Sequence, residues 1–124
     1  MNAVAQVAAL VAGLIHVMIF VLESVIFRRP PVHATFGVAP DDVAAVRPWA
    51  FNQGFYNLFL AAGALGGPVL VWSGSTVAGR TLALFACGSM LAAAVVLVAT
   101  NRRMLRGAAI QGVAPLLFLL AVVL

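Results

Sequence analysis

Residues 3–27 have the sequence AVAQVAALVAGLIHVMIFVLESVIF, a run that is almost entirely apolar. Its length of about 25 residues is enough for an α-helix to cross the hydrocarbon core of a bilayer. The run stops at two arginines and a double proline, Pro30-Pro31, and a double proline cannot continue a helix. The stretch therefore predicts a first membrane-spanning helix.

Two polar residues inside this run, His16 and Glu23, indicate a functional site within the membrane. A carboxylate within a membrane helix costs roughly 2.5–3.5 kcal/mol on insertion scales, so such residues are candidates for function. Their spacing of seven residues is about two α-helical turns and predicts that they share one face. We interpret them as a candidate catalytic pair that can hold or pass a proton. The structural alternative for His16 is an interhelical hydrogen bond. For Glu23 the alternatives are extension of the side chain to the membrane interface or an ion pair with a loop arginine, Arg28, Arg29 or Arg47.

The composition identifies an integral membrane protein. Of the 124 residues, 65% are hydrophobic and 8% are charged, against about 25% charged in soluble domains. We expect one domain over residues 1–124, because there is no room for a separate soluble module. No basic stripe with interleaved aromatic residues occurs, which excludes a nucleic-acid partner. Cys87 is the only cysteine and no Cys/His metal spacing exists, so we expect no disulfide, no metal and no cofactor.

Charge and turn signals divide the rest of the chain into three further spans. The separators are the loop 28–48, the WSGSTVAG turn at 72–79 and the Asn-Arg-Arg sequence at 101–103. The predicted spans are residues 3–27, 49–72, 78–100 and 107–124. Residues 40–46 of the first loop are predicted to form one or two turns of surface helix. The predicted fold class is an all-α, polytopic four-transmembrane-helix bundle.

The distribution of arginine predicts the orientation. The loops after spans 1 and 3 must lie on the same side, and together they hold six arginines: Arg28, Arg29, Arg47, Arg102, Arg103 and Arg106. The opposite side has only Arg80. Because positively charged loops remain in the cytoplasm, we expect both termini on the non-cytoplasmic side.

That orientation places several polar side chains at the depth of Glu23, in the cytoplasmic half of the membrane. Four of them open span 2 and one enters span 4: Asn52, Gln53, Tyr56, Asn57 and Gln111. Together with Glu23 and His16 they predict a small polar pocket with apolar walls, which is the usual form of a ligand site. The alternative is that the amides only hold the helices together through hydrogen bonds.

Small residues four apart occur in every span and allow close helix contact, within the chain or in a homo-oligomer. The patterns are Ala9/Gly13, Ala62/Gly66, Gly63/Gly67, Gly88/Ala92 and Ala108/Gly112.

Three pieces of the chain are similar to one known family. They are HVMIFVLE at 16–23, NQGFYN with the following LFLAAG at 52–63, and QGVAP at 111–115. On these pieces the chain resembles domain-of-unknown-function family 1304, small four-span bacterial membrane proteins. The resemblance covers nearly the whole chain and implies a four-helix membrane fold with a shared polar signature, but no activity. A looser, architectural likeness is to four-helix sterol-isomerase-like membrane proteins, whose sites combine carboxylate, His and Asn.

Three functions follow as hypotheses. The first is a protein of the bacterial cytoplasmic membrane that binds a membrane lipid or isoprenoid-like ligand, either as a binding protein alone or as an enzyme that catalyses a proton-transfer isomerisation. In it Glu23 and His16 handle the proton, and Asn52, Gln53, Tyr56, Asn57 and Gln111 orient the ligand. The second is a non-enzymatic structural or accessory subunit. The third is an oligomeric transporter of protons or small solutes, which is the weakest because one copy of the chain has no room for a pore.

Overall fold

The computed structural model describes all 124 residues, and all of its regular elements are helical. Helix α1 covers Ala3–Phe20 and continues into a single π-helical turn, Val21–Val25. The other helices are α2 (Pro30–Thr35), α3 (Val43–Trp72), α4 (Thr76–Thr100) and α5 (Leu105–Val122). Two 3₁₀ turns, Pro40–Asp42 and Arg102–Met104, lead directly into α3 and α5.

Four helical segments are long and apolar enough to cross a membrane. They are Ala3–Val25, Pro40–Trp72, Thr76–Thr100 and Arg102–Val122. The prediction of an all-α fold with four membrane-crossing helices is therefore confirmed by length and composition. The third of these segments agrees with its predicted bounds within two residues at each end.

The loop between the first two spans contains more helix than the sequence predicted. The expected surface turn at 40–46 is the beginning of the second span, so α3 starts at Val43 instead of at residue 49 and passes through Pro48. Proline is favourable in the first turn of a helix, where its missing N–H has no intrahelical acceptor. Pro40 takes this place in the 3₁₀ turn, and Pro30-Pro31 does so in α2. The double proline thus ends the first span, as predicted, and also begins a short helix.

The chain forms two compact units. Unit 1 comprises Met1–Ile15 and Leu60–Leu124, and unit 2 comprises His16–Phe59. Helices α1 and α3 each contribute residues to both units, whereas α4 and α5 belong to unit 1. The prediction of one domain over residues 1–124 stays a prediction.

The core of unit 1 is built from small side chains. Nine of its thirteen buried members are alanines, and the largest buried side chains are Phe118 and Met90. Cys87 belongs to this core and is fully buried. In a bilayer, helices associate through close van der Waals packing, and small residues at the interface allow their backbones to approach.

Glycines of α3 allow a close approach to α4 in unit 1. A Cβ built on Gly67 would lie 2.6 Å from the Cβ of Ala83, and one built on Gly63 would lie 2.9 Å from the Cβ of Ala86. Of the two overlapping small-residue patterns in span 2, it is therefore Gly63/Gly67 that faces α4. Ala62 is exposed.

Polar side chains hydrogen-bond the unpaired backbone groups at the start of α1 and at the end of α5. Asn2 Oδ1 accepts a hydrogen bond from the Ala5 N–H (2.9 Å) and so caps the start of α1. Asn2 Nδ2 donates to the Ala121 carbonyl (2.6 Å), and Arg80 Nη2 donates to the Val122 carbonyl (3.1 Å). These two carbonyls lie in the last turn of α5, where no intrahelical donor remains.

Candidate functional site

The candidate site in unit 2 is built on the π-helical turn at the end of α1. The Ile26 N–H donates to the Val21 carbonyl (3.0 Å), a bond five residues back instead of four. The turn contains Glu23 and Ser24. A π-turn widens the helix by one residue and is often found at functional sites.

Asn57 of α3 holds the side chain of Glu23. Its Nδ2 donates to Glu23 Oε2 at 3.0 Å and to the Gln53 carbonyl at 3.2 Å. Asn57 is 8% exposed, whereas Glu23 is only partly buried. The structure therefore joins the two helices through a carboxyl–amide pair. It does not use a loop arginine for this, which was one of the structural alternatives for Glu23.

The residue beside Glu23 brings α3 close to the π-turn. Ser24 Oγ donates to the Phe51 carbonyl at 2.7 Å. Opposite Ser24 lies Gly54, where a Cβ would overlap Ser24 Oγ and would lie 3.1 Å from the Ser24 backbone nitrogen. Glycine at position 54 therefore permits the approach that lets Asn57 reach Glu23.

Aromatic rings form an apolar wall in the same unit. Phe20 contacts Phe55 edge to face, with ring centroids 5.1 Å apart and an interplanar angle of 72°. Phe55 also contacts Phe51 at 5.1 Å and Phe59 at 6.3 Å, one helical turn to either side of it on α3. Such pairs stabilise packing by about 0.5–1.5 kcal/mol beyond the area they bury.

His16 is 2% exposed and lies in the last two turns of α1. Its predicted shared face with Glu23 assumed α-helical geometry throughout, but that geometry ends at Phe20. The direction of the Glu23 side chain therefore cannot be extrapolated from the seven-residue spacing. The predicted catalytic roles of both residues stay predictions.

Three of the predicted ligand-binding side chains, Asn52, Gln53 and Tyr56, are exposed, and Tyr56 is 59% exposed. None of the three side chains hydrogen-bonds Glu23, and of Gln53 only the backbone carbonyl takes part, through Asn57. Depth along the helix axis was predicted from sequence, but the direction around the axis was not. Gln111 is partly buried on α5, in unit 1. Their roles as ligand contacts stay predictions.

Sequence reasoning did not select Ser24 and Gly54, which lie at the π-turn, or Phe55, which lies in the aromatic wall. The spacing of Phe51, Phe55 and Phe59 at four-residue intervals was a usable signal for the aromatic wall. Nothing in the sequence marked Ser24. No group of three His, Cys, Asp or Glu side chains is arranged to hold a metal ion.

The fold and the site together define a polytopic all-α membrane protein with a carboxyl–amide pair between two of its helices. The chain matches the family described as "protein of unknown function (DUF1304)" over residues 10–123, and it belongs to that family. No curated protein and no solved structure matches it.

Proposed function

We propose that the protein binds an apolar membrane ligand, a lipid or an isoprenoid-like molecule, at the π-turn of α1. The observation that carries the proposal is Glu23, a partly exposed carboxyl group in a widened helical turn, held in place by the buried amide of Asn57. Selection need not retain a carboxylate within a membrane span where leucine would pack equally well.

The chemistry of the pair suits a ligand with an apolar body and a polar end. Glu23 Oε2 accepts from Asn57, which leaves Oε1 to accept a hydrogen bond from a ligand hydroxyl or amine. The aromatic wall of Phe20, Phe51, Phe55 and Phe59 supplies apolar surface in the same unit. We propose binding only and not isomerisation, because the amide hydrogen-bonded to Glu23 does not ionise and cannot serve as its proton-transfer partner.

A second function, that of a structural or accessory subunit, is favoured by a different observation. Asn57 Nδ2 uses both of its hydrogens within the protein, on Glu23 and on the Gln53 carbonyl. An amide whose two hydrogens are both bonded within the protein is consistent with a purely structural role, in which it holds the end of α1 against α3.

The substitution Glu23→Gln separates these two functions. Glutamine keeps an oxygen that can accept from Asn57, so the variant should fold with little change in its thermal midpoint. If Glu23 binds the ligand, co-purified lipid should fall at least several-fold, because the carboxylate is the stronger acceptor. Lipid content is measured by mass spectrometry of the detergent-solubilised protein, beside thermal denaturation. Cys87→Ala, in the core of unit 1, is the control and should retain the wild-type lipid content. A stable Glu23→Gln protein with unchanged lipid would favour the structural subunit.

We also propose that the protein lies in the bacterial cytoplasmic membrane with both termini outside. The support is the six-to-one distribution of arginine between the two sides and the resemblance noted above. Cysteine labelling tests the orientation in a Cys87→Ala background, with Thr35→Cys and Ser75→Cys as the two exposed reporter positions. Thr35→Cys should react only with a reagent that enters the cytoplasm, and Ser75→Cys with an impermeant one. The reverse pattern of labelling would refute this orientation.

Association of several copies through small-residue faces remains a proposal of ours. Within one chain, Gly63/Gly67 packs against α4 and Gly112 packs against Ala94. Two further patterns, Ala62/Gly66 and Gly88/Ala92, each have an exposed alanine, and a Cβ added at Gly88 would have no atom within 4 Å.

A further inference from the structure

Unit 2 has a second feature that the proposed function does not use, an open basin of about 650 Å³ formed by the segment after the first span and the beginning of the second. Three prolines, Pro30, Pro40 and Pro48, form part of its wall. Because proline has a fixed φ, these walls change shape little. The polar residues on the wall are Arg28, His33 and Arg47.

A hydrogen bond at one ring nitrogen orients His33, and the other ring nitrogen makes no hydrogen bond. The residue is 4% exposed, and its Nδ1 lies 2.7 Å from the Val38 carbonyl oxygen. A carbonyl can only accept, so Nδ1 carries the hydrogen and Nε2 is the nitrogen available to a ligand. Nε2 makes no hydrogen bond, and no side-chain polar atom of the protein is both buried and unpartnered. Nε2 therefore has some surface exposure, and His33 forms part of the basin wall.

The two arginines are also unpaired. Neither Arg28 nor Arg47 makes an ion pair or a hydrogen bond, and both are exposed. Asp41 and Asp42 are nearby in sequence but do not line the basin. A guanidinium group presents parallel N–H donors that match the oxygens of a phosphate.

We propose that this basin binds a phosphate group, with Arg28 and Arg47 donating to its oxygens and His33 Nε2 accepting a hydrogen bond from a phosphate hydroxyl as a third contact. The volume is within the range of pockets that hold small molecules. Arg28 follows the end of the first membrane span by three residues, and Trp49, beside Pro48, is 77% exposed. Tryptophan is typical of the membrane–water interface, which is the level of lipid phosphates. The phosphate can therefore come from a lipid headgroup or from a soluble compound.

The test uses the full chain in detergent and two probes. One arm compares dioleoyl phosphatidic acid with dioleoylglycerol, which lacks the phosphate, by native mass spectrometry. The other titrates inorganic phosphate by calorimetry. The double variant R28Q/R47Q should bind phosphatidic acid at least about tenfold more weakly, since each charged hydrogen bond is worth about tenfold or more in affinity. His33→Asn should also weaken binding, because asparagine can still donate to the Val38 carbonyl but lacks a group at the Nε2 position.

The matched control is R102Q/R103Q, which removes the same charge from exposed residues outside the basin and should bind as the wild type does. Selective binding of phosphatidic acid alone assigns the site to a lipid headgroup. Binding of inorganic phosphate, with the same dependence on Arg28 and Arg47, assigns it to a soluble phosphate. Equal binding of phosphatidic acid and dioleoylglycerol, with no heat from phosphate, would overturn the proposal, and so would equal losses in the basin and control variants.

Discussion

Replacing Gly79 with alanine should separate α3 from α4 and destabilise unit 1. A Cβ at this position would lie 2.5 Å from the Gly67 carbonyl oxygen and 2.8 Å from the Val71 nitrogen. Both are backbone atoms and cannot rotate away, so the helices themselves must move. Overpacking of this kind costs about 1–3 kcal/mol, and rigid neighbours favour the upper end. The measurement is the free energy of unfolding in detergent, or the thermal midpoint.

Gly88→Ala, on the same helix, is the control for this experiment. A Cβ at Gly88 has no atom within 4 Å, so the substitution creates no clash. Alanine has a higher helix propensity than glycine, which should stabilise the helix by up to about 1 kcal/mol. The changes in the free energy of unfolding of the two alanine variants should therefore have opposite signs. If Gly79→Ala proved as stable as Gly88→Ala, the close approach of Gly79 to Gly67 would not exist in the folded protein.

Gly54→Ala should be the most damaging small change at the candidate site. The new Cβ would overlap Ser24 Oγ, so either the hydrogen bond from Ser24 to the Phe51 carbonyl breaks or α3 moves away from the π-turn. We expect a loss of about 1–3 kcal/mol. We also expect loss of the contact between Asn57 and Glu23 and, if Glu23 binds the ligand, a fall in co-purified lipid.

Two companion variants make the Gly54 result specific. Gly66→Ala on the same helix adds a Cβ at an ordinary 3.5 Å from Leu82 and should be tolerated. Ser24→Ala in the Gly54→Ala background removes the nearest atom, but the Ser24 Cβ remains 3.0 Å away, so recovery should be partial. Full stability of Gly54→Ala alone would contradict the geometry described for the π-turn.

The sequence was informative about the helices because hydropathy depends on composition alone. Four apolar runs and their separating charges predicted four spans, and the structure has them. The start of α3 was placed six residues late, since Arg47 and Pro48 were interpreted as loop residues: a charge marks the edge of a span, and proline is unfavourable inside a helix. Whether a helix continues through such residues depends on what packs around them, which a single sequence does not contain.

The sequence predicted the depth of the site residues in the membrane, but not the direction in which their side chains point around the helix axis. Glu23 and Asn57 were expected near each other because both lie toward the same end of their spans, and they are hydrogen-bonded. The π-turn was not predicted, because the bond from Ile26 to Val21 replaces an α-helical one without any required residue type. The outward direction of Asn52 and Tyr56 follows from the rotation of α3, which tertiary contacts determine.

The alanine-rich core of unit 1 restricts how this family can vary. In a core of leucine and phenylalanine, substitution by a larger side chain can be compensated by substitution of a neighbour with a smaller one. Ala9, Ala12, Ala64 and Ala83 are fully buried, and only glycine is smaller. Substitutions at these positions can therefore add atoms but hardly remove them. Related chains that differ here must accommodate the change by shifting whole helices, so divergence in this unit should appear as altered helix positions and not as exchanged side-chain volumes.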